Sequence, residues 1–412
     1  MMHIALLTGG QDKHYSHGLA AALAQNGVAV DFIGSDELDA PELRAIDSIR
    51  FLNLRGDQSA GVGARQKLLR VVHYYWRLIR YAAAARPAVF HILWNNRIEW
   101  FDRTLLMLWY RLCRRRVVLT AHNVNTAKRD GYDSAANRLT LRMQYGLCDR
   151  IFVHTNRMKQ ELVGDLSVRA DKIVVIPYGI NDVVQHSSLT SAAAKSACGI
   201  AASEKTMLCF GNIGPYKGID YLVEAFEQLV AGDPSYKLII AGKPKRAADR
   251  YWEALRERLR PLVAQGRAVL DIRHVPDDIT ERYFKAADVL VMPYREIFQS
   301  GVLFCGYSYG LPVVATDVGS FRDDVVDGVT GFICQPHDAA SLATAVRTYF
   351  QSDLYAQLDQ RRAHIRAHAA ANHCWDTVAS LTTAVYGELD QRRSVPAVSA
   401  SNRTQRNSDS TA

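Results

Sequence analysis

Two loops in the second half of the chain carry residue types that suit a phosphate. Gln299-Ser300-Gly301-Val302 is a small polar turn placed to open a helix over 302–309, which Gly310-Leu311-Pro312 then stops. A Ser-Gly turn at a helix start offers free backbone N–H groups and the positive end of a helix dipole. The second loop, Phe210-Gly211-Asn212-Ile213-Gly214-Pro215-Tyr216-Lys217-Gly218, joins a strand to a helix; its glycines permit close backbone approach and Lys217 supplies a cation. Tyr294 ends another apolar strand, and Ala241-Gly242-Lys243-Pro244 and Asp317-Val318-Gly319-Ser320 end two more. One lysine and two helix N-termini can hold a pyrophosphate without a metal. Singly, each stretch also reads as an ordinary connection with a solvated lysine. Four such loops on one sheet edge favour the phosphate reading.

Loops share an edge only if their strands run parallel, and the chain alternates accordingly. Residues 4–8, 28–33, 89–93, 117–121, 151–154 and 173–176 are short apolar runs that read as strands, with helices at 17–25, 65–85 and about 102–113. Pro177-Tyr178-Gly179 breaks the pattern, and the polar stretch 181–204 leads to a second alternation. There the strands are 207–210, 237–241, 288–292 and one from 313, and the helices are 219–230, about 250–264 and 340–350. The expected fold class is α/β: two facing Rossmann-like domains, 1–178 and 179–372, with parallel sheets and a ligand cleft between them. A helix within 373–391 closes the folded part; the tail 392–412 is nearly devoid of large apolar side chains and is expected to be disordered.

A chain of 412 residues is too long for one core, and 48% hydrophobic with 22% charged residues is ordinary for a soluble globular protein. Seven scattered cysteines without zinc spacing read as reduced thiols of a cytoplasmic chain. No apolar run reaches membrane-spanning length, and residues 1–10 turn into a loop too soon for a signal peptide. The charge is uneven: residues 1–180 hold 25 Lys and Arg against 16 Asp and Glu, whereas 181–390 hold 21 against 25. The basic first half is therefore expected to face an anionic partner.

The segments LLTGG, VVLTAHNVN, CDRIFVHTNRMKQEL, VIPYGIND, FGNIGPYKGIDYLVEAF, LIIAGKP, YFKAADVLVMPY, QSGVLFCGYSYGLPVVATDVGS and DGVTGF follow one another across most of 1–390. In order and spacing they resemble the retaining GT-B glycosyltransferases of the glycosyl transferases group 1 type, in the branch that builds exopolysaccharides and lipid-linked glycans. The resemblance implies a nucleotide-diphosphate-sugar donor held mainly by the second domain, an acceptor held by the first, and a last helix that crosses back to the first. It matches Lys217 to a lysine on the donor phosphates, and Ser300, Gly301 and Val302 to N–H groups on the same phosphates. His122 matches a histidine against the donor sugar, and Gly9 and Gly10 match a glycine loop near the reacting centre. Gly211, Asn212, Tyr294 and Gln299 complete the expected donor site, with His122 and Lys217 as the catalytic residues and no metal or cofactor. The chain departs from the family where a glutamate pair usually stands: it has Ile297 and Cys305, with Glu296 one residue out of register. The family's phosphate-contacting arginine is also missing, its candidate positions being Asn212 and Gly214.

Breaking a sugar–pyrophosphate bond builds positive character on the sugar and negative charge on the leaving phosphate, which fixed N–H groups and Lys217 would favour most in the transition state. In the retaining reaction that the resemblance implies, the departing phosphate accepts the acceptor hydroxyl's proton. No Asp-x-Asp pair occurs in the chain. For the acceptor, residues 65–86 hold six Lys/Arg, no acid, and Leu68, Leu69, Val72, Tyr75, Trp76 and Ile79 at helical spacing; residues 103–116 repeat the mixture with five Arg. Such helices suit an anionic membrane interface, and equally a core stripe with a solvated basic face; in the second, residues 105–110 are expected to be mostly core. The expectation is a peripheral enzyme on the inner face of a membrane that extends a glycan or lipid-linked glycan, with no nucleic-acid partner. The alternatives are a GT-B epimerase or phosphorylase, and a donor-free partner subunit of a glycan-assembly complex.

Overall fold

The computed structural model describes residues 1–10, 12–59, 61–180, 188–245 and 248–394; the tail expected to be disordered lies outside them from residue 395 onward. Apolar runs that would be strands in either setting become buried parallel strands here because helices cover both faces of each sheet. The first sheet holds β1 (Met2–Leu7), β2 (Val28–Gly34), β3 (Ile49–Asn53), β4 (Val89–Ile92), β5 (Arg116–Thr120), β6 (Arg150–Val153) and β7 (Ile173–Val175), in the order β3-β2-β1-β4-β5-β6-β7. The second holds β8 (Lys205–Phe210), β9 (Tyr236–Ala241), β10 (Ala268–Asp271), β11 (Val289–Met292), β12 (Val313–Thr316) and β13 (Gly331–Cys334), in the order β10-β9-β8-β11-β12-β13. Every pairing within both sheets is parallel. All the expected loops therefore leave carboxyl edges, and this architecture is the GT-B arrangement of two Rossmann-like sheets.

Three strands were not foreseen from sequence. β3, β10 and β13 are outer strands; β3 mixes charge into its pattern, Ile49-Arg50-Phe51-Leu52-Asn53, and β10 and β13 are only four residues long, which weakens the periodic signal.

Four helices position the site. α1 (Lys13–Gln25) starts where Asp12 accepts the Tyr15 N–H at 3.0 Å, directly after the Gly9-Gly10 loop. α2 (Ala64–Ala84) is the long basic helix. α3 (Gly301–Ser308) follows β11, with Ser300 at its N-cap position. α4 (Trp375–Ser394) packs Val378, Ala379, Val385, Tyr386 and Leu389 into the apolar cluster under β1 and α1, and Tyr386 Oη lies 2.6 Å from Nδ1 of the buried His91. The other basic stretch forms Glu99–Phe101, a π turn over Asp102–Leu106, and Met107–Leu112. Leu106, Met107 and Tyr110 are buried there as expected, but Leu105 and Leu108 face outward.

Candidate active site

Lys217 comes to the site from a 3-10 turn, Pro215–Lys217, between β8 and the following helix. Only 3% of it is exposed. Its ammonium donates to the Phe210 carbonyl at 2.7 Å and lies 4.8 Å from the centre of the Tyr294 ring. Gly211 explains why so long a side chain fits: its φ is +95°, and a Cβ there would stand 3.1 Å from Lys217 Nζ and 3.2 Å from Val302. Lysine and helix start thus converge on one missing methyl group. At that start Ser300 makes no capping bond, and its Oγ lies 3.4 Å from Tyr294 Oη. Gln299 Oε1 is buried without a hydrogen-bond partner among the described residues. Asn212 is exposed on the same loop. Ile297 is buried, and its carbonyl backs onto Gly319.

The first domain meets this cradle through Tyr178. Its ring stacks on Phe304 of α3 (5.0 Å, 11° between planes), and a Cβ on Gly301 would stand 3.1 Å from its Oη. The same hydroxyl is 3.5 Å from Asp12 Oδ2, at the foot of the Gly9-Gly10 loop. Phe298 packs into the apolar cluster of the first domain. Tyr178 thus links the start of α3 to the Gly9-Gly10 loop across the domain boundary.

His122 follows β5 and lies flat against Trp94, centroids 4.3 Å apart, with the Tyr15 ring edge-on at 4.6 Å. Burial, then His154 and His91, hold it far below the usual imidazole range, so it is neutral at pH 7. Its tautomer follows from a relay. The Ile176 carbonyl can only accept, so His154 Nδ1, at 3.4 Å, carries a proton. His154 is neutral, with a pKa lowered to about 4 chiefly by burial, so its Nε2 accepts from His122 Nδ1–H at 3.2 Å. His122 Nε2 is then a bare acceptor, buried and without a partner among the described residues. A buried acceptor of this kind fits a hydroxyl of a bound sugar.

Two cations that the sequence did not single out join the cradle. Lys245 is brought in because the loops after β8 and β9 pair, Ile213 N to Lys243 O at 2.9 Å and Lys245 N to Ile213 O at 3.0 Å. Arg129 arrives from the first domain. Their charged ends lie 4.7 and 4.6 Å from the centre of the Tyr216 ring, and both pair with Asp130, Lys245 at 3.1 Å and Arg129 at 2.8 Å. Burial, then Arg129, with Lys217 adding, pull Lys245 below the ordinary lysine range. Nothing in the local sequence marks this pair; only the docking of the two domains brings them together. Arg295 is engaged elsewhere, by Asp220. Among the described residues no three His, Cys, Asp or Glu side chains are grouped as a metal would need.

Residues 204–352 match the family described as Glycosyl transferases group 1, and residues 9–183 match Glycosyltransferase Family 4. The chain is a glycosyltransferase with the GT-B fold. Among curated proteins it is similar to D-inositol 3-phosphate glycosyltransferases: that of Nocardia farcinica is 26% identical over 369 residues, covering 86% of this chain and 80% of the relative. That of Corynebacterium diphtheriae is 26% identical over 394 residues, covering 91% and 88%. Among solved structures, sucrose-phosphate synthase from Thermosynechococcus elongatus superposes with a TM-score of 0.73 at 20% identity, over 95% of this chain and all of that one. The Anabaena protein HepE in complex with UDP-glucose gives 0.70 at 15% identity, over 93% of this chain and all of that one.

Proposed function

We propose that the chain transfers a sugar from a nucleotide-diphosphate-sugar to a glycan or lipid-linked glycan, with retention and without a metal. The observation that carries this is the convergence of Lys217 Nζ and Val302 on the bare face of Gly211, across the cleft from the unpartnered His122 Nε2. In this reading the diphosphate lies on the N–H groups that open α3 and beside Lys217, with Lys245 and Arg129 in place of the family's arginine. His122 Nε2 accepts a hydroxyl of the donor sugar and fixes its orientation. The bond from the anomeric carbon to the diphosphate breaks, and its electron pair goes to the phosphate oxygen, where the cations stabilise it most in the transition state. The acceptor hydroxyl bonds to the anomeric carbon on the face the phosphate leaves, and its proton passes to that phosphate. Protein, donor and acceptor thus suffice, and charge is balanced at each step.

Calorimetry with ADP, CDP, GDP, UDP and dTDP on the intact chain tests the donor site. One nucleotide is expected to bind, with Lys245→Ala weakening it about tenfold, roughly 1.4 kcal/mol, as loss of one charge-assisted contact would. A folded chain that binds none of the five would overturn the donor reading in favour of a donor-free partner subunit.

The same reading places the enzyme on the inner face of an anionic membrane. On α2, Leu68, Leu69, Val72 and Trp76 are 52–63% exposed, flanked by Arg65, Lys67, Arg77 and Arg80, and the Arg80 guanidinium covers Trp76 at 4.7 Å. Apolar side chains rimmed by cations suit an anionic lipid interface. No described helix is long and apolar enough to cross a membrane. The chain is expected to float with phosphatidylglycerol vesicles at low salt and to be released at about 0.5 M NaCl, where the screening length is only a few ångströms. Sedimentation of all the protein away from such vesicles at low salt would rule the surface out.

A further inference from the structure

A second concave site lies in the first domain. A cavity of about 430 Å³ opens beside α2, walled by Arg55, Gln58, Lys67, Arg70, Tyr74 and Arg97 among others, and its lining holds four cations and no carboxylate. Arg70 is already engaged, by Asp57 at 2.7 Å and the Ser59 carbonyl at 3.4 Å. Arg55, Lys67 and Arg97 have no ion pair among the described residues. The Arg55 guanidinium lies 5.0 Å from the centre of the Tyr74 ring, and its Nη1 is buried with no acceptor among the described residues. A buried donor without an acceptor, in a wall where three of the four cations have no ion pair among the described residues, calls for an anion with several oxygens.

Its location says which anion. A Cβ on Gly10 would stand 2.3 Å from Arg55 Nη1, so the guanidinium runs against the Gly9-Gly10 loop. On the other side of that loop, a Cβ on Gly9 would stand 2.7 Å from the Trp94 carbonyl, and Trp94 carries His122 on its ring. The cavity is therefore separated from the sugar subsite by one loop. Its wall is braced: Tyr74 Oη donates to Asn96 Oδ1 at 2.6 Å, and Asn96 N–H to Asp102 at 2.8 Å.

We infer that this cavity binds a phosphate group carried by the acceptor, with Arg55, Lys67 and Arg97 as its ligands, so that the acceptor's hydroxyl is held beside the donor sugar. This rests on the transferase reading above. A soluble sugar phosphate and a lipid-linked phosphate present the same oxygens, and the exposed apolar face of α2 next to the cavity gives the second a surface to approach from.

Two probes distinguish the sources: glucose 6-phosphate by calorimetry, and nanodiscs containing polyprenyl phosphate by co-sedimentation against discs without it. Each is run on the intact chain with and without the nucleotide that fills the donor site. Saturable binding of at least one probe, persisting when nucleotide is bound, is expected. Arg55→Gln with Lys67→Gln should weaken it at least tenfold, whereas Lys217→Met should retain it. Binding by neither probe, wild-type affinity in the double variant, or displacement by nucleotide would overturn the inference. If the double variant does not fold, the exposed Arg97→Gln decides, and wild-type affinity there would overturn it too. Probe binding by a chain that binds no nucleotide would leave this site standing and remove the donor reading alone.

Discussion

Lys217→Met is expected to lower kcat by about a thousandfold while leaving a cooperative thermal transition. Removing one donor aimed at charge that develops in the transition state costs about 100- to 1000-fold in other enzymes. Lys217 belongs at the upper end because it is nearly fully buried, where water cannot replace its ammonium. The change also has a structural cost, which must be kept apart from the catalytic one. The Phe210 carbonyl loses its 2.7 Å donor, and an unpaired buried acceptor costs about 1–3 kcal/mol. Methionine fills most of the space along the stem and keeps contact with the Tyr294 ring. In a domain of this size each kcal/mol lowers Tm by roughly 2–4 °C, so the variant should melt a few degrees early but remain folded at assay temperature. Turnover measured with Tm on the same preparation separates the two effects. A kcat within about threefold of wild type, at saturating donor, would take the lysine out of the transition state.

Much of this site was legible because its parts are local. The turn Ser300-Gly301, the stop at Gly310-Leu311-Pro312 and the loop ending in Lys217 each declare themselves over a few residues, and the central strands are continuous apolar runs. What was not legible depends on contacts between distant segments. Lys245 and Arg129 are 116 positions apart and become a pair only when one ring, Tyr216, lies between two docked domains. His154 reads as the last residue of a strand; its role in setting the His122 tautomer needs the Ile176 carbonyl behind it. Leu105 and Leu108 were expected to be core because they sit in an apolar run, but a π turn at Asp102–Leu106 redirects the helix face. Outer strands such as β3 mix charge into the pattern, and charge there protects an edge instead of marking a loop.

The cluster around the sugar subsite also carries a pH dependence. Burial lowers His91 to about 3, and chiefly burial lowers His154 and His373 to about 4; His122 lies well below the usual range. Each folded value is below the unfolded one, near 6.5. As pH falls, the unfolded chain therefore takes up protons first. The stabilisation is complete above pH 6.5 and is lost on the way down to about 4, on the order of 3 kcal/mol for each of His91, His154 and His373, with His122 adding in the same direction. Three carboxyls oppose this, Asp102, Asp288 and Asp324, each raised chiefly by burial. Burial raises Asp102 and Asp324 to about 6, so each contributes stability that is full below the unfolded value near 3.8 and lost as pH rises through 6. On acidification they restore on the order of 3 kcal/mol each. Four histidines against three carboxyls leave a net loss on the order of a few kcal/mol, a large part of the roughly 5–15 kcal/mol that holds a whole domain. The loss is unevenly placed: His91 lies within β4 and His122 and His154 follow β5 and β6 of the first sheet, with only Asp102 of the three carboxyls opposing them there, whereas Asp288 and Asp324 both belong to the second domain. Calorimetric scans at pH 7 and pH 4.5 should therefore show the first domain melting at least 10 °C earlier in acid, with the second lagging as a separate transition. A single transition whose midpoint is unchanged or higher at pH 4.5 would mean that the carboxyls outweigh the imidazoles and that the histidines titrate near their ordinary value. In that case His122 would be partly charged near neutral pH, and it could not serve as the bare acceptor that orients the donor sugar.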